Sequence, residues 1–334
     1  MLINLRSRRG SEETADLVRS LLPKARIALT RTLDEARAWL RDTVAPHPPR
    51  VLLSGGGDGT AVNVLTEMRA LGVRVGAFGV LPLGTGNAWA HEMRTPAVAT
   101  AVRRIAALGD VAPPVRAFRM IEVEGRLTPF AGSGWDAEIV ADYQRMVAEH
   151  GNLESQTKAG VLGYMRSLFT RTIPNQMRGN GAPRVRLVSL DDEPRVIDRH
   201  GKPVRIEGAG HGTVLYEGPG SVAGCGTTST LGLGMKVFPF VGAMPGRMEV
   251  RIYAASVLEA TLNIPNIWRG AHPLALDHHW LLRRCRMEYD REVQVEIGGD
   301  VIGPRRSVEY AVADEQVPTI DWSSFAAPRL AARA

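Results

Sequence analysis

Apolar positions in the first third of the chain switch repeatedly between a period near two and a period near 3.6. Residues 2–5 read as a short strand. Ser11 can cap a following helix whose Leu17, Val18, Leu21 and Leu22 fall on one face. Residues 26–30 predict the next strand and residues 33–44 the next helix. Residues 51–53 predict a third strand, ending in Ser54-Gly55-Gly56-Gly57. Residues 60–71 have helical periodicity, with Val64, Leu65, Met68 and Leu71 apolar, and residues 73–83 are strand-rich. Thr95-Pro96 reads as a cap with proline at the first helical position, opening a helix to about Leu108. Strands alternating with helices predict a parallel sheet covered by helices.

The pattern changes near Asp110-Val111-Ala112-Pro113-Pro114. Short alternating apolar runs then dominate, at residues 119–123, 185–189, 248–253 and 292–297. One helical stretch, about residues 138–169, interrupts them. The expected organisation is a Rossmann-like parallel α/β domain over residues 1–112, a mainly β domain over residues 113–312, and a tail over residues 313–334. With 334 residues, 44% hydrophobic and 23% charged, the chain has the composition of a packed globular protein. Its 35 glycines and 21 prolines predict many tight turns.

Charge and cysteine usage narrow the classes. The net charge is +6, carried mostly by arginine, which suits a phosphate ligand, an anionic membrane surface or nucleic acid, or simply a solvated basic surface. Cys225 and Cys285 have neither metal-pair spacing nor disulfide density, so a reducing cytoplasm is the expected compartment. The N-terminus turns charged too early for a signal peptide. No apolar run reaches the roughly 18 residues that a membrane span needs. A lipid substrate would have to be met from the water side, through transient membrane association.

The strongest chemical motif is Gly55-Gly56-Gly57-Asp58-Gly59-Thr60, between an apolar strand and an amphipathic helix. Glycines there permit positive φ and close approach of a ligand to the backbone. Successive backbone N–H groups before a helix N-terminus cradle phosphate. Asp58 suits binding of a phosphate-bridged Mg²⁺ or acceptance of a proton from a nucleophilic hydroxyl. The plain alternative is a glycine-rich turn capped by aspartate. The motif has a partner, Leu81-Pro82-Leu83-Gly84-Thr85-Gly86-Asn87, again after a strand, and two such loops are expected at one crevice. Neither loop is a Walker sequence and neither is a dinucleotide fingerprint.

Taken together, Gly-Gly-Asp-Gly-Thr and Pro-Leu-Gly-Thr-Gly-Asn resemble the diacylglycerol kinase catalytic domain, of the superfamily that also holds sphingosine, ceramide and NAD kinases. The resemblance extends to Asn4-Leu5-Arg6-Ser7, to Thr30 at the position of a nucleotide-contacting threonine, to Gly134-Trp135-Asp136-Ala137, to Lys158 and Tyr164, and to residues 295–303. It implies an ATP–Mg²⁺ site in the α/β domain, a C-terminal β-sandwich, and transfer of the γ-phosphate to diacylglycerol or a related long-chain lipid. Asn4, Thr30, Gly55, Gly56, Gly57, Gly59, Thr60, Gly84, Thr85, Gly86 and Asn87 would bind the nucleotide. Asp58 would be the essential acid.

The chain also departs from the family pattern. Where the family has a late Asp-Gly-Glu, with its aspartate as the base, this sequence has Gly298-Gly299-Asp300, so Asp300 is the second candidate acid. Ala88 replaces an aspartate after the second loop, and Val62-Asn63 replaces Asn-Glu. Pro245-Gly246-Arg247-Met248 stands for an Asp-Gly-x-Leu whose aspartate belongs to a structural Mg²⁺ site in some bacterial members, so no protein-built metal site is expected. A family member that binds nucleotide or lipid with little activity is the alternative reading. An NAD kinase is disfavoured by the second loop and the second-domain matches.

Other residues were weighed against ordinary structural roles. Asp277, His278 and His279 lack further ligands at metal spacing and read as a surface turn. Gly132-Ser133-Gly134 lacks the full nucleophile-elbow pattern. Arg166, Arg171, Arg178, Arg184 and Arg186 form a basic stretch that suits an anionic leaflet or solvent. Trp268, Trp280, Leu281 and Leu282 suit either a lipid cleft or a core. With 6% aromatics and no recognition motif, nucleic acid is not an expected partner. The oligomeric state stays open, a homodimer included.

Overall fold

A computed structural model describes residues 1–149, 182–232 and 234–325. The chain divides into two compact units. Met1–Gly84, Ala90–Phe118 and the chain from Gln316 on make the first; Thr85–Trp89 and Arg119–Glu315 make the second.

In the first unit, β1 (Leu2–Asn4), α1 (Glu12–Leu21), β2 (Ala28–Thr30), α2 (Leu33–Trp39), β3 (Val51–Gly56), α3 (Asp58–Ala70) and β4 (Ala77–Pro82) alternate as the periodicity predicts. The helix starts are chemically marked. Ser11 Oγ accepts the Thr14 N–H at 3.2 Å, and Thr32 with Glu35 forms a reciprocal capping box. The four strands are parallel in the order β2-β1-β3-β4. Ile3, Leu52, Phe78 and Leu81 are fully buried in this sheet. Val62, Val64, Leu65 and Met68 of α3 are buried as well, each such side chain contributing about 1.5–3 kcal/mol.

The chain then forms α4 (Ala88–Glu92) and α5 (Val98–Ala107). The expected Thr95-Pro96 cap is not used. Thr95 N–H bonds Ala90 O at 2.9 Å, closing the turn behind it, and α5 starts after Ala97 without a side-chain cap.

The later chain is mainly antiparallel. It contains β5 (Val115–Val123), β6 (Arg126–Thr128), β7 (Phe130–Gly134), α6 (Trp135–Glu149), β8 (Arg184–Ser189), β9 (Arg195–Ile197), β10 (Pro203–Arg205), β11 (Val214–Pro219), β12 (Val222–Gly226), β13 (Met248–Tyr253), α7 (Val257–Arg269), β14 (Asp277–Leu282), β15 (Arg284–Ile297) and β16 (Asp300–Ile320). One ladder runs β7-β12-β13-β14-β9-β10. β15 pairs with β8 through Tyr289 and with β7 from Val295, with an irregular register between Glu288 and Val293. Such a break lets one strand serve two ladders.

Three expectations change. Residues 85–89 group with the β unit, and β16 runs through Ile320 instead of ending at a tail from residue 313. Thr319 pairs in parallel with Phe78 of β4, and its Oγ1 donates to Arg116 O at 2.9 Å, so residues 316–320 complete the first sheet. A second helix, α7, joins the helix expected from residue 138. Pro265 inside it removes a backbone donor and reads as a breaker, yet the Ser256–Glu259 capping box and left-handed Gly270 at its end (φ 67°) outweigh that. The rest of the stretch expected to 169, with Lys158, Tyr164, Arg166, Arg171 and Arg178, lies outside the described residues.

Candidate active site at the strand ends

In the first unit the connections reverse direction at β1, with β2 on one side and β3 on the other. Open parallel sheets bind ligands outside the C-terminal ends of their strands at such a switch point. Asn4 closes β1 there, and its Nδ2 donates to Thr60 Oγ1 at 3.0 Å. The Asn4 carbonyl accepts Ser7 N–H at 3.0 Å and Ser7 Oγ–H at 2.6 Å, folding the chain back. A Cβ on Gly10 would lie 2.0 Å from that carbonyl oxygen, so only glycine closes this loop. Arg9 N–H then reaches Leu83 O at the end of β4, at 2.9 Å. Thr30, ending β2, is buried.

The first glycine loop fits among these residues. The Gly56 carbonyl accepts Leu83 N–H at 3.0 Å and Gly84 N–H at 2.9 Å. A Cβ on Gly56 would sit 2.4 Å from Thr60 Oγ1 and 2.5 Å from Thr60 Cβ, which excludes any side chain. Gly57 is the extended N-cap of α3 (φ −90°, ψ −174°) and has no side chain to cap the helix. α3 begins at Asp58, two residues before the predicted start. Asp58, Gly59 and Thr60 are therefore its first turn, whose N–H groups lack intrahelical acceptors and carry the positive end of the helix dipole. Asp58 is 8% exposed. The positive φ that glycine permits is not used at Gly55, Gly56, Gly57 or Gly59. These glycines serve by lacking a Cβ, and the left-handed residue is Asn87, at φ 50°.

A groove of about 230 Å³ in the same unit is lined by Arg9, Thr14, Leu17, Pro82, Leu83, Ala97 and Val98, and by none of the predicted nucleotide residues.

Thr85, Gly86 and Asn87 belong to the second unit. Thr230 Oγ1 donates to Ala88 O at 3.2 Å, and a Cβ on Gly232 would come within 3.2 Å of Gly86 Cα. Asp300 belongs to the second unit too. Gly298 (φ 59°) and Gly299 (φ 87°) form a two-residue hairpin turn between paired Ile297 and Asp300. Positive φ at both central residues favours glycine there. Gly299 N–H donates to Glu296 Oε2 at 2.6 Å, and Glu296 is 2% exposed. The sequence reading did not single out Glu296, although an acid between Val295 and Ile297 in an apolar run marks it. Gly134 has φ 90°, and a Cβ there would meet Ser221 O at 2.2 Å.

Residues 1–113 match the family model described as the diacylglycerol kinase catalytic domain. Across both units the chain is similar to the structure of a diacylglycerol kinase from Bacillus anthracis, with a TM-score of 0.60, 14% identity, 96% of this chain covered and 94% of that one. A second structure from the same organism, also assigned to the diacylglycerol kinases, gives 0.62 at 16% identity, covering 96% and 93%. At these identities the likeness establishes the fold. No curated protein matches the chain.

Beyond the matched residues lies a buried ionic group. Asp277 and His279 are not on a surface turn; they lie in β14 opposite β13, with His279 2% exposed. His279 Nδ1 approaches Glu249 Oε1 at 2.8 Å, and Arg251 holds Asp277 through two 2.8 Å bonds from Nε and Nη2. His279 Nε2 lies 3.1 Å from Asp277 Oδ2, an ionic contact too poorly directed to count as a hydrogen bond. Burial opposes a charged His279, but its contacts with Asp277 and Glu249 outweigh that and raise its pKa. Burial raises Glu249, while Asp277, also opposed by burial, is held low by His279 and Arg251. The sequence carries a trace of this in charges at alternate positions, Glu249/Arg251 and Asp277/His279, in two otherwise apolar strands.

At the departure Pro245–Met248, buried Arg247 pairs with Asp191, which also accepts Arg283 N–H at 2.8 Å. Arg186 is partnered by Glu288 at 2.9 Å and by Glu217 at 3.9 Å, and Arg184 by Glu217 at 4.0 Å, which reduces the charge this end of the basic stretch offers an anionic surface. Trp280, Leu281 and Leu282 are core residues, and Trp268 is partly exposed. Among the described residues no cluster of three or more His, Cys, Asp or Glu could hold a metal.

Proposed function

We propose that this protein transfers the γ-phosphoryl group of ATP–Mg²⁺ to the hydroxyl of diacylglycerol or a related long-chain lipid. The reading is carried by the meeting of Asn4, Thr60 and the Gly55–Asp58 turn at the switch point of a sheet whose residues match a lipid-kinase family. The first turn of α3 points backbone N–H groups toward phosphate oxygens, and its N-cap Gly57 puts no side chain in front of it. In this proposal Gly55, Gly56, Gly57, Gly59, Thr60, Gly84, Thr85, Gly86 and Asn87 bind phosphates, with Asn4 and Thr30 beside them.

Asp58 is the essential acid and Asp300 the second candidate. Mg²⁺ travels with the nucleotide phosphates, since such ions need only one or two protein carboxylates, and Asp58 fits that donor role. Among the described residues no helix is long and apolar enough to cross a membrane. In this proposal the protein is cytoplasmic and meets its lipid through peripheral, transient contact.

The test is transfer of labelled γ-phosphate from ATP–Mg²⁺ to mixed micelles of diacylglycerol, monoacylglycerol, sphingosine or ceramide, with NAD as a soluble control. A labelled lipid supports the kinase and names its acceptor. The second reading, a binding protein of the same family, is favoured by Gly298, which leaves the turn without the family's acid. ATP binding with no labelled product from any acceptor would establish that reading and overturn the first.

A further inference from the structure

The ionic group of Glu249, Arg251, Asp277 and His279 does more than join β13 to β14. It grips two backbone positions of the loop that follows β12. Arg251 Nη1 donates to Val237 O at 2.9 Å, and Glu249 Oε2 accepts Phe240 N–H at 2.6 Å. The Phe240 ring stands edge-on to His279, with centroids 5.1 Å apart, and to His272 at 4.8 Å. The other end of the loop reaches the second glycine motif. Thr230 Oγ1 bonds Ala88 O, and Gly232 passes so close to Gly86 that a methyl group would crowd it. Between the two ends, Val237 and Phe238 pack with Ala88 and Phe130 in one apolar cluster. Phe238 N–H closes the loop onto Ser229 O at 3.1 Å.

A group of four charges is costly to bury, and hydrophobic residues would join two strands at least as well. Its geometry is that of a clamp: β13 makes both hydrogen bonds to the loop, through Glu249 and Arg251, and β14 braces those two side chains through His279 and Asp277. We propose that the Glu249–Arg251–Asp277–His279 group is a positioning device that, acting through the loop containing Thr230, Gly232, Val237 and Phe240, fixes the backbone of Thr85–Asn87 for phosphate binding. The proposal rests on the nucleotide reading above for what the loop holds, but not for the mechanical link itself. In a buried network, removing one member leaves its partner's polar group unsatisfied, so the loss spreads to the bonds that partner makes.

Two variants probe the two ends of the link. His279→Gln keeps a polar side chain of similar reach in the network, and Thr230→Val is near-isosteric and removes only the hydroxyl that holds Ala88. Amide hydrogen exchange is followed in the protein without ligand, and ATP–Mg²⁺ affinity is measured by calorimetry for wild type, both single variants and the double variant. Faster exchange at residues 85–89 in His279→Gln, with Leu52 and Leu81 of the first sheet unchanged, is the expected result. Each single variant should weaken ATP–Mg²⁺ about fivefold, and the double variant should be no weaker than the worse single one, because both break the same link.

Unchanged exchange at residues 85–89 in His279→Gln, or fully additive losses of affinity, would overturn the proposal. Were wild type not to bind ATP–Mg²⁺ at all, the proposed function would fail, while the exchange measurement would still decide the link. If His279→Gln does not fold, a Phe240→Leu variant, which keeps the backbone bond to Glu249 and loses the ring against His279, carries the same expectation in weaker form.

Discussion

Gly55–Thr60 and Thr85–Asn87 are both glycine loops after parallel strands, yet they are held by different means. The first takes its shape from its own vicinity: Gly56 leaves room for Thr60, Thr60 bonds Asn4, and Gly56 O collects two N–H groups from the next strand end. The second takes its hydrogen bond at Ala88 from Thr230, 142 residues further along. A loop shaped by neighbours is as rigid as its sheet. A loop shaped by a remote element inherits whatever moves that element. Under the proposed function, the difference makes the first loop the fixed part of the site and the second the adjustable part.

The comparison breaks most sharply at Asp58. If it is the essential acid, Asp58→Asn should lower kcat for lipid phosphorylation by roughly 10²–10⁴-fold, the size of a lost acid–base contribution, and leave the fold intact. Wild-type turnover in that variant would remove Asp58 from the chemistry and shift attention to Asp300. The parallel change Asp300→Asn separates them, since unchanged kcat there leaves Asp58 as the acid. Gly56→Ala is expected to be next in size. Its methyl group has nowhere to go beside Thr60, so overpacking of about 1–3 kcal/mol should appear as a lowered melting temperature together with weakened ATP binding. A Gly232→Ala change crowds Gly86 less severely and should affect affinity with little loss of stability; equal losses in both variants would erase the contrast between the loops.

How much of this could be read from the sequence follows the same division. The strand–helix alternation, the cap at Ser11 and the Gly55–Thr60 turn are local patterns, and the structure reproduces them within a few residues. What escaped depends on pairing across long separations. Thr319 joins Phe78 through a ladder that periodicity cannot reveal, and α7 hides behind Pro265. Asp277 and His279 look like an exposed polar pair until Glu249 and Arg251 are seen on the strand beside them. Glycine permits both positive φ and close approach, and the first motif uses only the second: Gly56 is needed for space beside Thr60, while the positive φ lies at Asn87 in the other motif. The roles of the individual nucleotide residues rest on the experiments above.

A smaller effect tests how the first loop is tied to β1. Asn4→Ala removes one side-chain hydrogen bond to Thr60, worth about 1 kcal/mol, and should weaken ATP–Mg²⁺ about fivefold with kcat nearly unchanged. Thr60→Val should give a similar loss, and the two together no more than one. Full additivity would mean that the Asn4–Thr60 bond is incidental and that each side chain meets the ligand separately.

The gentlest probe is pH, which acts on the second loop's support through His279. His279 has a folded-state pKa above its unfolded value of about 6.5, so its contribution to stability is complete below that pH and is lost as pH rises through the folded pKa. Glu249, also raised, shifts stability in the same sense but in a lower window that opens near its unfolded pKa of about 4.3. Asp277, held low, contributes above its unfolded pKa of about 3.9 and is lost only as pH falls through its folded value. His272, the other titratable ring against Phe240, must be controlled by a His272→Gln variant. The melting temperature of wild type minus that of His279→Gln should therefore shrink as pH rises above about 6.5. A difference that stays flat between pH 6 and 9 would mean that His279 holds no extra proton in the folded chain. If amide protection at residues 85–89 falls over the same interval while Leu52 and Leu81 stay protected, the two loops are separable by a single proton, and the support of the second is electrostatic; loss of protection at all of these positions together would mean the unfolding of one cooperative body and no division between the loops.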